Sequence, residues 1–445
     1  MESFFVNFEK TLGKIKPMHA VNNGPIGSTV TKTGNMEAFA AARIPFVRTH
    51  DSAFCTSYGW EYTVDVHRIF RNFDADENDP ASYEFRCTDA YLAKIESIGA
   101  HPFYRLGASI EHGIMKDGTT PPKDYKKWAR ICEHIIRHYT EGWANGFRYD
   151  IEYWEIWNEP DNCGAGIPNS CWQGSFEEFI DLYCVAASHL KKCFPHLKIG
   201  GPAFTWAVKT VQIEFMAALR ERRAPLDFYS FHCYTRDPEI MRACIADARA
   251  LVDEYGYHDA ELSLNEWNYN CGWQGEDFLR GVRTILSQKG AASTAACMCV
   301  GQGSTLETLM YYDARPCAYN GLFRAYTYEI LPGYYPFYFF ANLKDLGNEV
   351  AVEGLEKGVY AVAATDKKRF GMMLTRFLDE AESGECAEPI EIAFSFAEKK
   401  KRIAKISAAC ENGALSETTC EIGEDGVLSL SCPMYSVLYI ALEEI

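Results

Sequence analysis

Tryptophan is missing from the last two fifths of the chain: all nine lie between Trp60 and Trp273 of 445 residues. A segment without such rings is poorly equipped to stack sugars by itself, so any ligand-stacking site is expected in the earlier part. Positive charge is also scarce. Lys plus Arg number 44 against 61 Asp plus Glu, a formal charge of −17, which repels phosphate backbones and anionic headgroups and argues against nucleic acid or a membrane as partner. No stretch approaches the roughly 20 apolar residues that span a bilayer, and the longest runs, such as Tyr435 to Leu442, have strand length. The first ten residues lack the basic and apolar regions of a secretory signal, from which a cytoplasmic address is expected. Seventeen cysteines, an odd number, show no repeated spacing, so no disulfide framework is expected. Cys297-Met298-Cys299 has neither a second pair nor histidines at zinc-ligand spacing.

What is present is an alternation of strand-like and helix-like runs through the first three quarters of the chain, the pattern of parallel α/β folds. Eight strand-like runs can be drawn: Lys16 to Asn22, Pro45 to His50, His101 to Gly107, Tyr153 to Asn158, Leu197 to Pro202, Asp227 to Tyr234, Glu261 to Trp267 and Thr308 to Asp313. Amphipathic stretches such as Lys123 to Tyr139, Phe176 to Lys192 and Glu239 to Tyr255 separate them, and Pro332 to Leu346 supplies an eighth helix. Eight such units, without a Gly-rich turn after the first strand, predict a (β/α)8 TIM barrel rather than an open doubly wound sheet.

From about Glu349 the texture changes to short strands between polar turns: Glu349 to Glu353, Val359 to Ala364, Phe370 to Phe377, Pro389 to Phe396, Ile403 to Ala409, Val427 to Leu430 and Ser436 to Leu442. This predicts a C-terminal β-sandwich. The expected division is a barrel over residues 13–346 and a sandwich over 347–445, with residues 1–12 either an extra sandwich strand or a lid on the barrel. The sandwich, lacking tryptophan, reads as a structural buttress.

In such a barrel, residues at the C-terminal ends of the strands face one shared cup. The fourth strand-like run ends Trp157-Asn158-Glu159-Pro160 and the seventh Asn265-Glu266-Trp267-Asn268, each bringing a carboxylate, an amide and an aromatic ring to the mouth. Glycoside hydrolysis asks for this inventory: one carboxylic acid to protonate the leaving oxygen and one carboxylate to attack or to activate water. Two neighbouring carboxylates also push their pKa values apart. Metal catalysis finds less support, since His19 has no second histidine two residues on and His50-Asp51 lacks chelating spacing. No metal and no cofactor are expected.

The Trp157-Asn158-Glu159-Pro160 motif on the fourth strand, with Glu266 ending the seventh, resembles clan A of the glycoside hydrolases and within it family 39, which includes β-xylosidases and α-L-iduronidases. The resemblance runs over nearly the whole chain. It implies that Glu159 is the general acid/base, Glu266 the nucleophile of a retaining double displacement, and Asn158 a contact to the sugar 2-hydroxyl. His232 and Tyr234, ending the sixth strand-like run, match the His and Tyr that the family carries there, two residues apart. Val47-Arg48-Thr49-His50-Asp51 resembles the clan's polar strand end, with His50 and Asp51 as sugar contacts, while Arg48 reads as structural and is expected to pair with a carboxylate such as Glu155. Glu111, beside His112 after the third strand-like run, departs from the β-xylosidases and is assigned to sugar selection. Tyr312, in Tyr311-Tyr312-Asp313-Ala314-Arg315, stands where the clan commonly has a Trp-containing pattern. Among the aromatic residues near the mouth, Trp267 is the expected sugar platform.

The sequence therefore reads as a retaining exo-acting glycosidase, β-xylosidase-like, acting on a small carbohydrate, with long loops after the second and fourth strand-like runs closing the cup. A catalytically silent carbohydrate-binding protein and a transglycosidase on the same scaffold are the alternatives. The glycone itself (xyloside, galactoside, arabinoside or uronide) and a homo-oligomeric state stay open at this level, with Arg105 and Arg315 as the cations that would receive a uronide carboxylate.

Overall fold

The computed structural model describes residues 3–27, 34–51, 53–54, 61–109, 116–167, 170–317, 319–380 and 389–445. Its first strand is β1 (Ser3–Lys14), after which the chain enters a barrel through β2 (Ala20–Asn22) and β3 (Phe46–Thr49). A short ribbon, β4 (Ala53–Phe54) and β5 (Glu61–Tyr62), lies outside the barrel. The barrel continues with β6 (His101–Leu106), β7 (Tyr153–Ile156), β8 (Lys198–Phe204), β9 (Phe228–Tyr234), β10 (Glu261–Asn268) and β11 (Leu306–Tyr311). These strands pair in parallel and in chain order, and β11 returns to β2 to close the ring. The eight expected strands are these eight, and the TIM barrel follows from them.

Strand residues alternate across the barrel wall, so every second side chain points inward. At the N-terminal end those positions hold Ala20, Phe103, Tyr153, Phe228 and Met310, one buried apolar cluster in which Phe103 stacks on Tyr153 with ring centroids 4.9 Å apart. Two residues further along the same strands stand Asn22, Arg105, Glu155, Ser230 and Tyr312, and Arg48 lies two residues beyond Phe46, which packs on that cluster. The inward face thus changes from apolar plug to polar network within one pleat. That step places the functional site at the C-terminal mouth.

The remaining strands are β12 (Asn348–Glu353), β13 (Val359–Thr365), β14 (Phe370–Arg376), β15 (Ile390–Ser395), β16 (Arg402–Ala409), β17 (Leu415–Ile422), β18 (Val427–Leu430) and β19 (Val437–Glu444). With β1 they form a nine-stranded sheet in the order β17-β16-β19-β14-β13-β12-β1-β15-β18. Ile422 from one end and Ile392 and Leu428 from the other share a single hydrophobic cluster with Met372 and Ile440, so the sheet folds upon itself as a sandwich. Residues 3–14 are a sandwich strand, antiparallel to β12 and parallel to β15.

Two elements depart from expectation. Strand β17 is mostly exposed, and its run of Ser, Glu, Thr, Thr, Cys and Glu gives no apolar alternation to read. The helix Gln288–Gln302 is almost entirely small or apolar and lies buried along nearly all of its length, against β13, β14 and β19 on one side and the barrel on another. A helix covered all round shows no amphipathic period, which hides it from pattern reading.

Candidate active site

Glu155 ends the inward face of β7, and the chain then turns sharply. Trp157 and Glu159 adopt left-handed backbone conformations, with φ of 77° and 48°. Such torsions are costly outside glycine and persist only where surroundings hold them. Here the Trp157 amide donates to Leu106 O at 2.7 Å and the Glu159 amide to Ala203 O at 2.9 Å. The Trp157 indole donates to Cys171 O at 3.0 Å, tying the loop after β7 back over the strand end. Gly107 makes room, because a Cβ there would stand 2.8 Å from the Trp157 ring.

On β10 the register slips between Leu264 and Glu266, which pair with Phe231 and His232. This bulge inserts Asn265 without a partner position and lets two successive side chains reach the interior. Asn265 donates to Glu155 Oε1, and Glu266 lies beside His232, Tyr234 and Arg48.

Arg48 sits at the centre of the network. Its Nε donates to Glu155 Oε2 at 2.7 Å, Nη1 to Glu266 Oε1 at 2.7 Å and to Asn22 Oδ1 at 3.0 Å, and Nη2 to Asn158 Oδ1 at 2.6 Å. The expected pairing with Glu155 is present, and the contact to Glu266 adds a role that the sequence reading did not assign. Only the inward alternation of β3 hinted at it. Ser230 donates to Glu155 Oε1 at 2.6 Å, completing the coordination of that buried carboxylate.

Glu159 and Glu266 converge on His232. Its Nδ1 lies 2.9 Å from Glu159 Oε1 and 3.5 Å from Glu266 Oε2, and one oxygen of each glutamate falls within 4.8 Å of the other. Tyr234 donates to Glu266 Oε2 at 2.8 Å. Burial raises the pKa of both carboxyls, opposed at Glu159 chiefly by Lys116 and at Glu266 by His232 and Arg48. Desolvation lowers that of His232, favouring a neutral ring between the two. The Cys171 thiol points at Glu159 Oε2 at 3.7 Å, and Lys116 Nζ lies 3.7 Å from that sulfur. Neither Lys116 nor Cys171 carried a sequence signal, since both lie on irregular loops.

A second cluster adjoins the first. Asp51 Oδ2 accepts from Tyr312 OH at 2.7 Å, from Arg315 Nη2 at 2.9 Å and from Asn23 Nδ2 at 3.3 Å, while Arg315 Nε also holds Asp313 at 2.8 Å. Burial lifts Asp313 to about 6 despite Arg315. His50 Nε2 lies 3.5 Å from Glu266 Oε1 and 3.6 Å from Asp51 Oδ1, so this cluster directly adjoins the glutamate pair.

Of the residues singled out from the sequence, Glu159, Glu266, Asn158, His232, Tyr234, His50, Asp51 and Tyr312 are brought together. Glu111 lies outside the described residues. Trp267 is buried at 1% exposure and packs edge-on against Tyr311, which in turn meets Phe337 of the outer helix layer. It is a core ring, because the bulge that turns Glu266 inward turns its neighbour out. Trp273, 61% exposed and edge-on to Tyr234 at 5.0 Å, is the open aromatic surface at the mouth. The proposed cation for a uronide at Arg315 is already engaged by two aspartates, and Arg105 pairs with Asp65 at 2.6 Å.

Glu159, His232 and Glu266 also have the donor types and spacing of a metal site. Arg48 already supplies a cation against Glu266 Oε1, and Tyr234 occupies Oε2, so the arrangement suits proton transfer and nucleophilic attack better. A second trio, Glu133, His189 and Cys193, lies on the outer helices, where Arg137 and His189 take the two oxygens of Glu133.

The signature of glycosyl hydrolases family 39 matches residues 6–257. The chain belongs to that family. The matched segment contains Glu159 and His232 and stops short of Glu266, whose place in this family 39 protein therefore rests on the geometry above. A beta-xylosidase of Geobacillus stearothermophilus is 29% identical over 235 residues, 45% of this chain and 44% of that protein. A beta-xylosidase of Caldicellulosiruptor saccharolyticus is 28% identical over 245 residues, 52% and 46% of the two chains. The chain thus spans about half the length of the curated relatives it matches. In fold, it resembles a glucosidase from Croceicoccus marinus (TM-score 0.80, 21% identity, 100% and 99% of the chains) and a monomeric beta-xylosidase from Caulobacter crescentus (TM-score 0.74, 15% identity, 100% of both).

Proposed function

We propose that this family 39 protein is a retaining glycoside hydrolase of β-xylosidase type, releasing terminal sugars from short oligosaccharides or glycosides. The observation that carries the reading is the closeness of Glu159 and Glu266, both of which meet His232 Nδ1 and bring one oxygen of each within 4.8 Å of the other. Retaining enzymes hold the two groups about 5 to 5.5 Å apart, whereas inverting ones leave roughly 6.5 to 9.5 Å for a water. The names of the relatives support a β-xyloside as the glycone.

In the first step Glu266 attacks the anomeric carbon while the Glu159 carboxyl gives its proton to the departing oxygen. The products are a glycosyl ester on Glu266 and a free aglycone. In the second step Glu159, now a carboxylate, takes a proton from water, which attacks the ester and frees the sugar and Glu266. Arg48 and Tyr234 hold the two oxygens of Glu266 in place for attack. His232, neutral and within reach of both carboxyls, orients Glu159 in each protonation state. Asn158, fixed through its Oδ1 by Arg48, presents an unpartnered Nδ2 to the sugar hydroxyl beside the anomeric carbon. The described cysteines are free thiols, which suits a reducing cytoplasm.

The test is release of 4-nitrophenol from 4-nitrophenyl β-D-xylopyranoside by the wild type and by Glu266→Gly, with and without azide. Expected are turnover by the wild type, its loss in the variant, and rescue by azide as an α-xylosyl azide. Wild-type turnover giving an α-configured first product would overturn the retaining mechanism.

A further inference from the structure

The two oxygens of Glu159 meet different partners. Oε1 faces His232 Nδ1 at 2.9 Å, and that nitrogen also stands 3.5 Å from Glu266 Oε2. With Glu266 ionised, a lone pair on Nδ1 would face a carboxylate, so the neutral ring carries its hydrogen there and donates to Glu159 Oε1. Oε2 meets the buried Cys171 instead, whose Sγ lies 3.7 Å away. Two N–H donors reach that sulfur, Asn162 Nδ2 at 3.5 Å and Lys116 Nζ at 3.7 Å. Both act on its lone pairs, which leaves the S–H to point at Oε2.

The backbone ties this thiol to the turn that carries Glu159. The Cys171 carbonyl accepts from the Trp157 indole at 3.0 Å, its amide donates to Asn162 O at 2.8 Å, and the Asn162 amide donates to Glu159 O at 3.0 Å. Burial pushes the pKa of the Cys171 thiol up, so it stays protonated and remains a donor. Burial also raises the Glu159 carboxyl, and Lys116 and the Cys171 hydrogen bond pull it back. A hydrogen bond strengthens when its acceptor is ionised.

Resting on the glycosidase reading above, we infer that Cys171 is a positioning residue, steadied by Lys116 and Asn162, whose S–H marks Glu159 Oε2 as the oxygen that gives and takes the catalytic proton. The His232 N–H keeps Oε1 an acceptor throughout, so the proton leaves from Oε2 in the first step and returns there from water in the second. An oxygen with two lone-pair directions has room for both: one accepts from the thiol and the other carries the proton. The thiol bond tightens once Oε2 is ionised, so it favours the carboxylate that acts as base on the glycosyl ester. The sulfur forms no covalent bond, and its own proton is not transferred.

The experiment records kcat/KM against pH for 4-nitrophenyl β-D-xylopyranoside in the wild type, Cys171→Ala, Cys171→Ser, Lys116→Met and, as a remote thiol, Cys193→Ala. Loss of a donor to the carboxylate predicts an alkaline limb about 0.3 to 1 pH unit higher in Cys171→Ala, and a move in the same direction in Lys116→Met. Cys171→Ser, which keeps a donor, stays nearer the wild type, and Cys193→Ala coincides with it. A merely structural thiol would lower the rate without moving the limb. A limb that stays put or moves down in folded Cys171→Ala overturns the inference, and where that variant does not fold, an unmoved limb in Lys116→Met does so. A second readout needs no turnover: the infrared S–H band of Cys171, isolated as the difference between wild type and Cys171→Ser, moves to lower frequency as Glu159 ionises and holds still in Glu159→Gln. A band that ignores the ionisation of Glu159 overturns the contact itself. Absence of wild-type turnover on the xyloside overturns the functional reading, and the catalytic part of this inference with it.

Discussion

Arg48 Nη1 stands 2.7 Å from Glu266 Oε1, while Nε of the same guanidinium, 2.7 Å from Glu155, is anchored in the barrel floor. One cation thus serves two buried anions, and the planar fork fixes the candidate nucleophile relative to a strand on the far side of the barrel. Replacing Arg48 by Met leaves both carboxylates uncompensated and is expected to cost about 3–5 kcal/mol in urea unfolding. The double variant Arg48→Met/Glu155→Gln recovers part of that loss, since one orphaned charge is removed. Arg48→Lys keeps the charge and loses the fork, so stability falls less than kcat.

The proposed mechanism requires Glu266 ionised and Glu159 protonated, and burial raises the pKa of both. The expected kcat/KM profile is a bell whose two apparent values belong to the pair, with its alkaline limb above the ordinary glutamate range near 4.3. Glu159→Gln, measured on a substrate with an activated leaving group, should lose the alkaline limb and keep the acid one. The linkage runs the opposite way for stability. A carboxyl whose folded pKa is raised favours folding when protonated, and that benefit is lost as pH rises through the folded value. Glu159→Gln should therefore melt higher than the wild type at pH 7, by an amount that vanishes at pH 4.

Tyr234, half-buried at the end of β9, donates to Glu266 Oε2 at 2.8 Å. Tyr234→Phe removes a hydrogen bond to a charged group without leaving a void, and is expected to lower kcat by about 10- to 100-fold. KM should change little where the contact acts on the nucleophile rather than the sugar. Steady-state kinetics on an aryl xyloside separate the two.

Gly107 combines a φ of 130° with a Cβ position 2.8 Å from the Trp157 ring. Gly107→Ala must either strain its own backbone or push that ring, and the expected loss is about 1–3 kcal/mol by thermal or urea unfolding. Because Trp157 begins the turn that aims Glu159, kcat should fall as well, an effect transmitted through the Trp157 ring.

What the sequence disclosed followed how locally each feature is encoded. The barrel strands could be read because alternation within a few residues marks them, and Glu159 and Glu266 because each ends such a run. The arm from Arg48 to Glu266 joins residues 218 positions apart and has no local mark. Trp267 departs from the expected platform for a different reason. A platform next to the nucleophile assumes plain alternation, and the bulge at Asn265 changes which neighbour faces the pocket. The helix Gln288–Gln302 and strand β17 failed at opposite extremes, the one apolar all round and the other polar on both faces.

The two crossings between the domains lie side by side. Lys14 and Asn348 are register partners in β1 and β12, and the Ile15 amide donates to Gly347 O at 3.0 Å just beyond them. In covalent terms the barrel is a loop spliced into a sandwich hairpin, leaving and returning through one doorway. In packing terms the boundary is far wider, since the buried helix Gln288–Gln302 lies flat against three sandwich strands. A nick at either crossing would therefore sever the backbone and leave the halves docked. Separating them would uncover apolar surface on both.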